Sequence, residues 1–83
     1  MKLSVRYFAS IRDALGTGQE SVETAAPTLA ALRDELVQHS AAHAASLARG
    51  RAVRMALNQV MSLEDATLAD GDEVAFFPPV TGG

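Results

Sequence analysis

The stretch that decides the fold runs from residue 70 to residue 79 and reads Asp70-Gly71-Asp72-Glu73-Val74-Ala75-Phe76-Phe77-Pro78-Pro79. The Asp-Gly-Asp triplet is typical of a turn, and the apolar run after it predicts a strand over 73–77. The two prolines must end that strand, because neither can donate a ladder hydrogen bond. Since side chains alternate along a strand, Val74 and Phe76 belong to one face and Phe77 to the other.

The beginning of the chain predicts a second half-buried strand. Residues 2–8 alternate with period two, with Leu3, Val5 and Tyr7 on one face and Phe8 on the opposite face. We therefore expect the first and last strands each to turn one face toward a core.

The principal helix is predicted to start after Pro27, with Thr28 as its N-cap. Its buried stripe at helical spacing consists of Leu29, Leu32, Leu36 and Val37. Arg33, Asp34 and Glu35 are expected mostly off that stripe.

The order of all these elements predicts the fold class. The remaining elements are a helical turn over 9–15, a strand over 20–23, an alanine-rich helical piece ending near residue 50, and strands over 55–57 and 60–61 joined at Asn58-Gln59. The main order of strand, strand, helix and three strands suits an α+β fold of the ubiquitin-like β-grasp type, a mixed sheet packed on one main helix. We expect one domain over 1–79 and a flexible diglycine tail over 80–83.

The composition narrows the range of functions. The 83 residues are 48% hydrophobic and 20% charged, which is ordinary for a globular domain. The formal net charge of −3 argues against nucleic acid or an anionic membrane as the main partner. Without cysteine the chain has no disulfide and no thiol of its own for sulfur chemistry. The N-terminus lacks a signal-peptide pattern, so a cytoplasmic location is expected.

The tail Val80-Thr81-Gly82-Gly83 follows the two prolines. Six extended residues from Pro78 would span roughly 20 Å, far enough to enter a partner's channel. Glycine lacks a Cβ, so Gly82 would let the Gly83 carboxylate pass a narrow opening. The alternative for this tail is an ordinary frayed terminus.

Residues 70–83 closely resemble the C-terminal end of the MoaD family, the small subunit of molybdopterin synthase. The resemblance spans nearly the whole chain: the segment from Val5 to Gly16, which includes Arg12, looks like the family's opening strand, and Ala56-Leu57-Asn58-Gln59 looks like its central turn. The segment over 38–53 shows the weakest resemblance to the family.

This resemblance implies a sulfur carrier that is not an enzyme by itself. An adenylating E1-like activating enzyme would use ATP to activate Gly83, sulfur would replace the adenylate, and the thiocarboxylate would enter the large synthase subunit. There it would sulfurate cyclic pyranopterin monophosphate within a heterotetramer, during molybdenum cofactor biosynthesis. The resemblance implies no permanently bound cofactor.

Strand alternation also predicts a docking surface beside the tail. Outward-facing Phe8 and Phe77 would form an apolar patch, which Met61 could extend. The alternative is that one phenylalanine is core because the register is shifted. The predicted partner-binding residues are Phe8, Arg12, Met61, Phe77, Pro78, Pro79, Val80 and Thr81.

Two sets of ionisable residues allow more than one interpretation. The acidic residues before the tail could steer docking onto basic partners, or could simply be solvated; they are Glu64, Asp65, Asp70, Asp72 and Glu73. Glu35, His39 and His43 fall at i, i+4 and i+8, but three ligands in line on one helix cannot surround a tetrahedral ion without another element. We therefore expect solvent-facing histidines and no metal site.

Three other functions remain open at this point. A sulfur carrier of the thiazole pathway would share the fold and the diglycine, although the segment over 76–81 favours the synthase subunit. A ubiquitin-like modifier would use the same activated terminus to form an isopeptide bond with lysine. A plain interaction module would bind through its sheet and do no chemistry at the terminus.

Overall fold

The computed structural model describes residues 1–79 of the chain, so the predicted tail residues Val80, Thr81, Gly82 and Gly83 lie outside the described residues. Within 1–79 the strands are β1 (Lys2–Tyr7), β2 (Gln19–Glu23), β3 (Arg54–Leu57), β4 (Val60–Ser62) and β5 (Glu73–Phe77). The helices are α1 (Ala9–Leu15), α2 (Leu29–Val37) and α3 (Ala41–Leu47). Every predicted element is present, and the ends that differ do so by one to three residues, with the largest difference at the end of α3.

The five strands form one mixed sheet in the order β2-β1-β5-β3-β4. The central strand β5 is parallel to its neighbour β1, and Tyr7 pairs with Phe76 at the end of their ladder. The other three neighbouring pairs are antiparallel. Parallel neighbours need a long crossover, which the intervening helices and strands provide. The predicted α+β, ubiquitin-like β-grasp is confirmed, with α2 as the longest of its three helices.

The core lies between the sheet and the helices. Tyr7 and Phe76 are 1% and 0% exposed, and their rings stack with centroids 6.2 Å apart. The α2 stripe is equally buried at Leu29, Leu32 and Leu36. The alternation predicted for β1 and β5 is therefore confirmed: their inward residues fill the core.

Local chemistry fixes the ends of the elements as predicted. The Thr28 hydroxyl accepts a hydrogen bond from the Ala31 N–H at 3.3 Å and caps α2. Asn58 and Gln59 both have positive φ, 50° and 69°, which matches the two-residue hairpin turn between β3 and β4. Gly71 has φ 86° in the turn before β5, where a side chain would be strained.

The sequence pattern places Arg33 mostly off the buried stripe of α2, but the residue is only 5% exposed. Its side chain reaches the C-terminal end of α3. There it donates to the carbonyls of Leu47 at 2.6 Å, Ala48 at 2.8 Å and Arg51 at 3.0 Å. Carbonyls at a helix end lack intrahelical donors, and the guanidinium satisfies them.

Candidate functional site

The side of the sheet away from the helices carries an apolar strip, which we call the open face and define as Phe8, Ala56, Met61, Ala75 and Phe77. Its centre is the end of the β1–β5 ladder, where the Phe8 N–H donates to the Phe76 carbonyl at 3.2 Å. Phe8 and Phe77 follow this last pair directly and so lie on the same side. Phe8 is 41% exposed and Phe77 is half-buried, and the register-shift alternative is excluded because Phe76 fills the core.

Met61 lies on the same side of the sheet, two strands from β5. It pairs with Ala56, and Ala56 pairs with Ala75, so one row of apolar residues crosses three strands. Met61 is 58% exposed, and both alanines are 8% exposed. Strand alternation in β5 puts Ala75 on the same outward face as Phe77, whereas Ala56 was not predicted to belong to this surface, although its alternate position in β3 could have revealed it.

Basic side chains border the open face. The Arg6 guanidinium carbon is 5.9 Å from the centroid of the Phe8 ring, and its Nη1 is 3.9 Å from a carboxylate oxygen of Glu73. Arg54 is exposed and pairs with Phe77 across β3 and β5. An apolar centre with a charged border is the usual layout of a protein-binding surface.

The predicted contact Arg12 lies near the open face. Together with Phe8 and Gly18 it lines a groove of about 410 Å³. A Cβ at position 18 would lie 3.2 Å from Arg12 Cδ, so glycine there leaves room for the arginine stem. Arg12 itself is exposed and available to a partner.

The base of the predicted tail is held against the domain. Pro78 and Pro79 are half-buried, and Pro78 lines a cleft of about 120 Å³ with Ile11 and Arg51. The chain therefore leaves β5 beside Phe77, with its direction restricted by two prolines. The described site thus combines an apolar sheet face with the starting point of the tail.

Similarity to known proteins now identifies the family. The model of the ThiS family matches residues 5–83. The chain belongs to the ThiS family. Its relatives within curated proteins include the molybdopterin synthase sulfur carrier subunit of Escherichia coli K12, 43% identical over 81 residues that cover 98% of this chain and 99% of the relative. The sulfur carrier subunit of Mycobacterium tuberculosis is 39% identical over 85 residues, covering 100% and 99%.

Solved structures resemble this ThiS-family chain over its whole length. The crystal structure of SAMP1 from Haloferax volcanii has a TM-score of 0.79 at 26% identity and 100% coverage of both chains. A chain in the complex of subunits 1 and 2 of molybdopterin-converting factor from Helicobacter pylori has a TM-score of 0.69 at 27% identity, again with 100% coverage of both. No helix within residues 1–79 is long and apolar enough to cross a bilayer.

The acidic residues before the tail have mostly structural contacts in this ThiS-family chain. Asp70 accepts from the Lys2 N–H at 2.7 Å, and Asp72 accepts from Asn58 at 3.0 Å. Glu64 binds two arginines, and the hydrogen bond from Arg49 lowers its pKa. These contacts give Asp70, Asp72 and Glu64 a structural role, and steering onto basic partners stays a prediction.

Glu35, His39 and His43 fall at i, i+4 and i+8 in the sequence, but they do not share one helical face. The helix breaks: α2 ends at Val37, and α3 begins at Ala41 after His39. Glu35 instead accepts a hydrogen bond from Thr24 Oγ1 at 2.7 Å. The structure brings the two histidines to a different carboxylate, Glu20 on β2, and the expectation that both histidines face solvent fails for the half-buried His43.

Proposed function

We propose that this chain is the sulfur carrier of a molybdopterin synthase, with Gly83 as the residue that bears the sulfur. The observation that supports this most strongly is its 43% identity to a subunit of that name over nearly the full length of both chains. The family match also includes the diglycine, since it extends to residue 83. The role expected from the resemblance of residues 70–83 agrees with this.

The proposed chemistry makes a poor electrophile reactive. An E1-like activating enzyme joins AMP from ATP to one carboxylate oxygen of Gly83 and releases pyrophosphate. Sulfide-level sulfur (HS⁻) then attacks the carbonyl carbon, AMP leaves with that oxygen, and loss of the S–H proton makes the terminus a thiocarboxylate. The chain has no cysteine, so the sulfur must come from another protein or small molecule.

The thiocarboxylate would then act in the large synthase subunit on cyclic pyranopterin monophosphate. Each carrier supplies one sulfur, so a dithiolene needs two, which suits a heterotetramer with two carriers. The reacting side chains would belong to the large subunit, and the carrier would need no bound cofactor. Gly82 would allow the terminus through a narrow channel.

The open face and the base of the tail would bind the large subunit. Phe8, Phe77 and Met61 offer exposed or half-exposed apolar surface, and Arg12 offers charge beside it. Pro78 and Pro79 would set the direction in which Val80 and Thr81 extend. The Helicobacter pylori neighbour belongs to a complex of subunits 1 and 2, which supports binding to a large subunit.

Mass spectrometry tests the proposal directly. The chain is incubated with an activating enzyme, ATP and a sulfur donor, and we expect a mass gain equal to the exchange of one oxygen for sulfur at Gly83. A chain that lacks Gly82 and Gly83, first shown by circular dichroism to be folded, should gain nothing. Absence of the gain in the full chain would refute the carrier function.

A protein modifier is a second candidate, because the SAMP1 structures that resemble this chain include one named small archaeal modifier protein 1. In that function the activated Gly83 would form an isopeptide bond with a lysine. The same mass-spectrometry experiment, done in cell extract, distinguishes the two: lysine-linked adducts indicate a modifier. A thiazole-pathway carrier would form the thiocarboxylate but would not convert cyclic pyranopterin monophosphate with the large subunit.

A further inference from the structure

A cluster of metal-binding side chains lies on the helix side of the sheet, away from the open face. Glu20 is on the edge strand β2, His43 is on α3, and His39 is in the connection between α2 and α3. One possible ligand atom from each lies within 4.8 Å of the other two. Two polypeptide segments therefore converge on one point, which a line of ligands on a single helix could not do.

The hydrogen bond between His43 and Glu20 marks where an ion would sit. His43 Nε2 is 2.9 Å from Glu20 Oε2. A zinc ion bound at about 2.0–2.1 Å from each ligand separates tetrahedral ligand atoms by about 3.3 Å, so it could replace the shared proton after a small shift. His39 is exposed and its ring centroid is 5.5 Å from that of His43, so rotation of its side chain can bring its nitrogen to the same ion.

Neighbouring groups orient these ligands as metal sites require. The buried Tyr7 hydroxyl donates to Glu20 Oε2 at 2.7 Å. Ser40 Oγ is 2.7 Å from His43 Nδ1 and can accept a hydrogen bond from the Nδ1–H group, which leaves Nε2 free to bind a metal. Hydrogen bonds of this kind fix the tautomer and orientation of ligands around metal ions.

The carboxylate is charged and partly shielded from water. The side chains of His43 and Glu20 are 15% and 27% exposed. His39 is exposed, so the site is open to solvent on the side of His39. The site thus offers two imidazole nitrogens, one anionic oxygen and room for water.

We propose that Glu20, His39 and His43 bind a divalent ion of the zinc type, with water as the fourth ligand. Two nitrogens and one carboxylate oxygen suit Zn²⁺ better than Mg²⁺ or Ca²⁺, which prefer oxygen ligands only. The ion would join the edge strand β2 to the α2–α3 connection and stabilise the fold by mass action. This proposal does not depend on the sulfur-carrier function, since none of the three residues belongs to the open face or the tail.

Zinc titration of the untagged chain tests the site. The sequence contains two histidines, so imidazole NMR signals report on His39 and His43 alone. We expect both signals to change together with one Zn²⁺ per chain, while Mg²⁺ changes neither. By calorimetry, His39→Ala should weaken zinc binding about 10-fold or more, because loss of a group at a metal site commonly has at least this effect.

Matched variants make the result decisive. Glu20→Gln should also weaken binding, whereas Glu23→Gln, on the same strand but the opposite face, should not. If Glu20→Gln fails to fold, His39→Ala still tests the site, because the His39 side chain is exposed and its replacement should leave the fold intact. The proposal is overturned if the wild-type chain binds no zinc or if His39→Ala binds it as tightly. The cluster would then only hold α3 against the sheet.

Discussion

Gly71 shows how one backbone angle supports the last strand. Its φ of 86° favours glycine, and a Cβ built there meets no atom within 4 Å, so strain rather than a clash opposes a side chain. We expect Gly71→Ala to lower the free energy of unfolding by about 1 kcal/mol. Gly50 also has open space but no positive φ, so Gly50→Ala should be neutral or slightly stabilising. Urea unfolding of both variants checks this, and equal effects would contradict it.

Phe77 is the residue that best tests the open face. We expect Phe77→Asp to weaken binding of the large synthase subunit about 30-fold or more, which corresponds to ~2 kcal/mol, because a charge would enter the centre of an apolar contact. Calorimetry or surface plasmon resonance would measure the affinity.

The control for this prediction is Val60→Asp, at a residue that is 65% exposed but belongs to the opposite face of the sheet. Its affinity for the large subunit should match that of the wild type. Phe8→Asp gives a second variant with a more exposed side chain, in case Phe77→Asp is poorly folded. Unchanged affinity in both phenylalanine variants would refute docking through the open face.

Among the elements, α3 depends most on side chains from elsewhere. It has only seven residues, too few to be stable alone. Its Ser40 hydroxyl caps the N-terminus by accepting from the His43 N–H at 3.1 Å, and Arg33 from α2 binds the carbonyls at its C-terminus. The position of α3 is therefore set by tertiary contacts as much as by its own sequence.

Arg33→Lys tests that dependence. Lysine keeps the charge but cannot reach several carbonyls with a planar fork, so buried acceptors would lose their donors. We expect the free energy of unfolding to fall by about 2–4 kcal/mol. The exposed Arg51→Lys should change it by less than about 0.5 kcal/mol. Urea unfolding measures both variants. If Arg33→Lys and Arg51→Lys changed the free energy of unfolding by similar amounts, the buried hydrogen bonds of Arg33 would contribute little to stability.

Across the whole molecule, Arg49 joins two distant segments electrostatically. It contacts Asp34 on α2 at 2.9 Å and Glu64 in the loop before β5 at 2.9 Å. Its hydrogen bonds lower the pKa of both carboxyl groups below their ordinary values of 3.8 and 4.5. A lowered folded-state pKa adds stability above the unfolded-state value, and that stability is lost as the pH falls through the folded-state pKa.

We therefore expect Arg49→Gln to be less stable than the wild type at neutral pH, with a difference that shrinks as the pH falls below about 4.5. High salt should shrink the difference as well, because these groups are exposed and screened. Urea unfolding over a range of pH measures it. Arg51→Gln provides the control, and a pH-independent difference for Arg49→Gln would contradict the ion-pair explanation.

Much of the fold and the open face could be predicted because the signals are local. The alternation in β1 and β5 correctly separated Tyr7 and Phe76 from Phe8 and Phe77. The N-cap at Thr28 and the turn at Asn58-Gln59 follow from side-chain chemistry a few residues long. The binding roles of Phe8 and Phe77 remain predictions. Gly82 and Gly83 lie outside the described residues, so their roles remain predictions as well.

By itself the sequence determined the order of the elements, the faces of the strands and the resemblance of the tail, because each depends on neighbouring residues. Only the tertiary structure decided that Arg33 is buried and that Glu20 meets His43. The partners in these contacts, Arg33 with Glu64 and Glu20 with His43, are 31 and 23 residues apart. No periodic pattern encodes such pairs, since chain packing alone brings a β2 carboxylate to an imidazole after the α2–α3 break.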